Sequence, residues 1–203
     1  MQKQNYIVNG TEPSPHSLPW MTALYQVSSG RRSFICGGAV LNENYILTAA
    51  HCVVRGSSTL PAKNFNVKLG AHRLSSSGEF YEISKVTAHE KYDSSHHKYD
   101  LALLKLKNPI NWSSNPDIKP ICLPTPEMDN LDLVGKPSIV AGWGTTRSDG
   151  GRPSDVLLYA EVPVVSNSEC KSAYSTLLSY DDQINPTHIC AGYKQGGRDS
   201  CQV

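Results

Sequence analysis

The sequence predicts an all-β protein, a sandwich or a barrel. Short runs rich in Val, Ile, Leu and Tyr recur along the chain, separated by Gly, Pro, Asn and Ser. That spacing belongs to antiparallel strands and not to alternating βαβ units. The length, 203 residues, suits one such domain or two small ones. Hydrophobic residues make up 39% and charged residues 18%, an ordinary globular balance with too little charge for a disordered chain. Lys and Arg number 19 against 18 Asp and Glu, so no charge excess draws the chain to nucleic acid or to an anionic membrane. No apolar run approaches the roughly 18 residues of a membrane span.

In chain order, the expected strands are Phe34 to Leu41, Asn44 to Cys52, Asn66 to Leu69, Tyr81 to Ala88, Leu101 to Leu106, Ser138 to Gly142 and Val156 to Val165. In the fifth, Ala102, Leu104 and Leu106 fall on one face and Leu103, Lys105 and Lys107 on the other. Pro163 has no N–H for a ladder and is expected at an edge or a bulge. Ser166 to Glu169 has the S-x-x-E spacing of a capping box and predicts a helix running through Cys170, Tyr174 and Leu177. The segment from Asn108 to Met128 holds five prolines and reads as a connector between two halves. Met1 to Tyr6 contains no apolar stretch of secretory length, so the protein is either not exported or a processed or incomplete product. Six cysteines fit an oxidised, secreted domain or a reduced cytosolic one.

Three local patterns could carry chemistry. In Leu47-Thr48-Ala49-Ala50-His51-Cys52 the histidine fits a buried core residue, a metal ligand or a general base, although no second ligand lies at a zinc spacing. In Tyr99-Asp100-Leu101-Ala102 an aspartate opens an apolar strand, as a turn residue does or as a carboxylate that orients a histidine. Arg198-Asp199-Ser200-Cys201-Gln202 alone is a polar loop.

Together with Ile7-Val8-Asn9-Gly10, Pro19-Trp20, Cys36-Gly37-Gly38, Pro120-Ile121-Cys122-Leu123-Pro124, Gly142-Trp143-Gly144, Cys170 and Ile189-Cys190-Ala191-Gly192, these patterns occur in a fixed order from Ile7 to Gln202. The set resembles the chymotrypsin/trypsin family of serine proteases. The resemblance implies two antiparallel six-stranded β-barrels with the active site in the cleft between them. The first barrel is expected at about 17–107, the connector at about 108–128 and a partial second barrel at about 129–203, after a residual leader at 1–6. It also implies that His51 is the general base, that Asp100 orients it, and that Asp199 lies at the base of a pocket selecting Arg or Lys. Family pattern pairs Cys36 with Cys52 and Cys170 with Cys190, leaving Cys122 and Cys201 without partners. The implied partners are protein or peptide substrates and protease inhibitors, with no nucleic acid and no membrane, in a secreted protein that needs no cofactor.

The sequence also departs from the family. The family motif continues from D-S-C-Q into G-D-S-G-G-P, whereas this chain reads Val203 after Gln202. The expectation is a chain truncated before its nucleophilic serine and oxyanion-hole N–H groups, inactive as it stands, with an incomplete second barrel prone to aggregation. Ser200 matches a pocket position and not the nucleophile. The alternative is a non-catalytic homologue acting as a binding or regulatory protein. Tyr6 precedes Ile7 where relatives carry a basic activation residue. Ala71 stands at the first ligand position of the calcium loop of some trypsins, so no calcium, and no other metal, is expected. His96-His97 reads as a solvated pair. Asn9 and Asn111 each open an N-x-S/T tripeptide and are candidate glycosylation sites.

Overall fold

The computed structural model describes residues 10–76, 78–96, 98–145, 152–175 and 184–196. Its first half is a meander that closes. Strands β1 (Met21–Ser28), β2 (Arg31–Val40) and β3 (Tyr45–Thr48) are followed by a small hairpin of β4 (Val54–Arg55) and β5 (Ser58–Thr59). Strands β6 (Phe65–Leu69), β7 (Phe80–Ala88) and β8 (Ala102–Leu106) complete a closed antiparallel barrel in the order β1-β2-β3-β8-β7-β6. In β8 the alternation holds: Ala102, Leu104 and Leu106 are buried while Leu103 and Lys105 are exposed. Leu24, Val40, Ile46, Phe65, Val67 and Leu104 fill the barrel.

Two features of this half differ from the sequence expectation. Strand β1 has no counterpart in it, because the first five residues are all buried and give no period-2 signal. Leu24 faces the barrel interior, whereas Met21, Ala23 and Tyr25 face a second cluster built around Trp143 and Leu157. In addition, the run expected as one strand to Cys52 stops at Thr48, and Ala50–Cys52 forms a single 3-10 turn.

The second half contributes a three-stranded antiparallel sheet in the described residues, a partly incomplete barrel. It consists of β9 (Pro137–Gly142), β10 (Leu158–Val165) and β11 (Cys190–Ala191), with β10 in the middle. Pro163 is therefore on the central strand and not on an edge. It is tolerated because it sits at the end of the β9 ladder opposite Pro137, where the strand passes on to pair with β11. Between β10 and β11, helix α1 (Asn167–Tyr174) starts with the expected capping box, Ser166 Oγ accepting the Glu169 N–H at 3.2 Å. Leu177, expected on the same helix, lies outside the described residues.

The halves are joined by backbone hydrogen bonds. Thr11 and Tyr159 exchange two, at 2.8 and 2.9 Å. Leu157 N–H donates to the His72 carbonyl and Leu74 N–H to that of Asp155, each at 2.8 Å. Trp143, fully buried, donates its indole N–H to the same His72 carbonyl at 3.3 Å. Disulfides link Cys36 to Cys52 and Cys170 to Cys190. Cys122 is a free, exposed thiol, and Cys201 lies outside the described residues.

Candidate active site

Strand β3 and the turn after it place His51. Thr48 ends the strand buried, its hydroxyl donating to the Gly37 carbonyl at 2.8 Å. Ala50, fully buried, anchors the 3-10 turn in the barrel core. Cys52 then ties that turn back to β2 through the disulfide. In the loop-entropy view a cross-link closing a loop of this size stabilises by about 3 kcal/mol. Gly38, the second of the paired glycines of β2, has a steric reason: a Cβ there would lie 2.8 Å from the Leu47 carbonyl oxygen, so only glycine lets β2 and β3 approach this closely. His51 is left with 49% of its side chain exposed, on a rigid support.

Asp100 arrives from the neighbouring strand, at the entry to β8, whose Ala102 pairs with Thr48 of β3. Its Oδ2 lies 2.7 Å from His51 Nδ1, and its Oδ1 accepts the His51 backbone N–H at 2.8 Å. Both carboxylate oxygens are thus engaged by one residue, and the Asp100 side chain is 27% exposed. A carboxylate acceptor at Nδ1 requires a proton on that nitrogen. In the neutral ring Nε2 then carries the lone pair. Nε2 faces the disulfide, 3.5 Å from Cys52 Sγ and 4.0 Å from Cys36 Sγ. Bonded sulphurs have no S–H to donate, so that lone pair is free to take a proton from a substrate or nucleophile. The two sulphurs and His51 form the one three-residue cluster of metal-type ligand atoms in the described residues. A disulfide offers no thiolate, which removes a metal reading for this cluster. A cavity of about 190 Å³ opens beside the ring, lined by Gln26, Ile35, the disulfide, Val54, Arg55 and Leu60.

The structure brings together His51 and Asp100, which are 49 residues apart in sequence. Asp199 and Asn9 lie outside the described residues. Asn111 is exposed at the start of a turn, its Oδ1 accepting the Ser113 N–H at 3.1 Å. His96 is exposed and pairs with Asp93 at 2.7 Å, while His97 lies outside the described residues. His89, which the sequence does not single out, stacks on Tyr99 next to Asp100. No sequence signal marks it, because the contact joins the end of β7 to a residue held in a left-handed backbone conformation.

The family model described as Trypsin matches residues 7–202. The chain is 35% identical over 198 residues to the clotting factor G beta subunit of Tachypleus tridentatus, covering 97% of this chain and 62% of that protein. It is 34% identical over 203 residues to the proclotting enzyme of the same organism, covering 97% and 52%. It is also 34% identical over 204 residues to Trypsin 5G1 of Aedes aegypti, covering 100% and 70%. The chain thus spans between about half and two thirds of the length of the two Tachypleus relatives.

Proposed function

The chain belongs to the trypsin family of serine proteases, and from that premise we propose that it is the domain of an extracellular endopeptidase that cleaves protein chains after Arg or Lys. The observation that carries this is the pair of hydrogen bonds from His51 to Asp100, at 2.7 and 2.8 Å, with Nε2 left free as a base. In the reaction, Nε2 takes the proton of the nucleophilic hydroxyl as it attacks the scissile carbonyl. Asp100 keeps the ring in the tautomer that allows this and stabilises the imidazolium that forms, the roles that define this family's triad. The proton then passes from Nε2 to the leaving amine.

Asp199 supplies the selectivity in this proposal. A carboxylate at the base of a pocket forms a charge-assisted pair with a substrate guanidinium or ammonium and offers an apolar side chain nothing. The two disulfides support an oxidising, extracellular setting. There Asn111 is an accessible glycan acceptor, and protein inhibitors that mimic substrates are the expected partners. The 203 residues contain no G-D-S-G-G-P segment. A polypeptide of these residues alone therefore lacks the family's nucleophile and is proposed to be inactive. Loss of the serine alone costs about 10⁶ in kcat in a related triad, or roughly 8 kcal/mol.

The test is a chimera that begins at Ile7 and is continued after Gln202 by the matching C-terminal segment of Trypsin 5G1. It should hydrolyse Arg and Lys esters at least about 10²-fold faster than a Phe ester. Asp199→Ser should erase that preference, and the 203-residue polypeptide should hydrolyse none of the three. An Arg preference that survives Asp199→Ser, or hydrolysis by the unextended polypeptide, would contradict the proposal.

A further inference from the structure

Three non-glycine residues among those described have a positive φ: His16, Ser29 and Tyr99. Ser29 shares a hairpin tip with Gly30, and His16 lies in an exposed turn. Tyr99 is different, because it immediately precedes Asp100 and is bulky. A left-handed backbone is unfavourable for an L-residue, and a bulky residue keeps it only where its surroundings hold it there.

Those surroundings are visible. The Tyr99 ring lies flat on the His89 imidazole, with centroids 4.8 Å apart and planes 9° from parallel. His89 is itself fixed twice. Its backbone N–H donates to the Leu101 carbonyl at 2.8 Å, and its Nδ1 accepts the Lys91 N–H at 3.1 Å. Leu101 N–H in turn donates to the Tyr99 carbonyl at 2.8 Å, closing a three-residue turn with Asp100 at its centre. The carboxylate direction is therefore set by a turn whose first residue is strained and whose strained residue rests on His89.

We propose that His89 and Tyr99 are positioning residues: their stack holds the turn that aims the Asp100 carboxylate at His51 Nδ1. This rests on Asp100 orienting His51, as proposed above. His89 acts without touching substrate, and its effect passes entirely through the backbone of Tyr99 to Leu101.

The test follows the His51 Nδ1–H in the 203-residue protein by NMR. A proton held between Nδ1 and a carboxylate gives a far-downfield resonance that exchanges slowly with water, and Asp100→Asn should abolish it. His89→Ala removes the platform, and Tyr99→Val places a β-branched residue where the left-handed backbone is unfavourable. Each should speed exchange of that proton at least about tenfold, a local opening, while the amides of β3 and β8 keep their protection. His89→Phe and Tyr99→Phe retain flat rings and should behave as the parent protein does. Since His89→Phe also lacks the Nδ1 acceptor for Lys91, it separates the stack from that hydrogen bond.

Parent-like exchange in both His89→Ala and Tyr99→Val, with the signal lost in Asp100→Asn, would overturn the positioning role and leave the protease assignment standing. Equal acceleration in His89→Ala and His89→Phe would overturn the stack as the cause. A signal that survives Asp100→Asn would overturn both, because Asp100 would then not be the partner of His51.

Discussion

Gly38 has little tolerance for change and shows how much the site depends on single residues. An added Cβ would meet the Leu47 carbonyl oxygen at 2.8 Å and Ile46 Cγ2 at 3.3 Å. Neither can retreat, because Ile46 is fully buried and Leu47 pairs with both β2 and β8. Gly38→Ala should therefore cost about 1–3 kcal/mol, the range for overpacking a filled interior. A urea midpoint identical to that of the parent protein would contradict this. The paired glycines are legible as a motif, but the reason for Gly38 is not, since it lies in a contact with the next strand of the barrel. His51 and Asp100 are a similar case. Each has an ordinary structural explanation when read alone, and only the ordered set of motifs in the sequence singles them out. Their 2.7 Å contact follows from the pairing of β3 with β8, which no local pattern encodes.

At the scale of elements, the segment following β6 joins the halves, and its electrostatics are titratable. Lys68 is 1% exposed, and its Nζ donates to the Leu74 carbonyl at 3.0 Å and to that of Ser76. Burial pushes its pKa down, against the pull of Asp155. Asp155 accepts the Ser75 N–H at 2.7 Å and the Ser75 hydroxyl at 2.8 Å, and Arg73 lies 3.7 Å away. Desolvation by itself would raise the Asp155 carboxyl, but the Ser75 hydrogen bonds and Arg73 bring it below the usual carboxylate value. A carboxyl depressed in the folded state stabilises above its unfolded value, about 3.9. That contribution is lost as pH falls through the lower, folded value. The difference in melting stability between the parent protein and Asp155→Asn should therefore be constant from about pH 7 to about pH 5 and shrink below about pH 4. With the side chain 45% exposed, it should stay under about 1 kcal/mol. A difference that does not vary down to about pH 2 would contradict the assignment. Legibility of the elements follows the same physics. The α1 capping box and the β8 alternation are readable because each is a local pattern. Strand β1 is hidden because both its faces are covered, and the turn at Ala50–Cys52 because its apolar residues continue those of β3.

At the scale of the whole molecule, the described residues of the two halves differ in how much they bury. Among the described residues, the barrel interior joins fifteen buried residues into one cluster, whereas Leu158 and Ala160 form a small cluster on the three-stranded sheet and Trp143 and Leu157 pack with Met21, Ala23 and Tyr25 of β1. Ile139 on β9 and Ile189 beside β11 remain 59% and 72% exposed. Opening free energies follow buried apolar contact, so amides of β1 to β3 and β6 to β8 should exchange most slowly and those of β9 to β11 markedly faster. Uniform protection across both halves would contradict that. The all-β class is legible from the spacing of strands and turns. Closure into a barrel is not, because it depends on the pairing of β1 with β6, about forty residues apart. The pairing of β3 with β8, in turn, presents one imidazole with Nδ1 committed and Nε2 free. Nitrogen-15 NMR of the histidine rings in the 203-residue protein tests this most directly. The neutral His51 ring should carry its proton on Nδ1 and a bare Nε2, and Asp100→Asn should shift that balance. A neutral ring protonated at Nε2 in the parent protein would contradict the proposed catalytic pair.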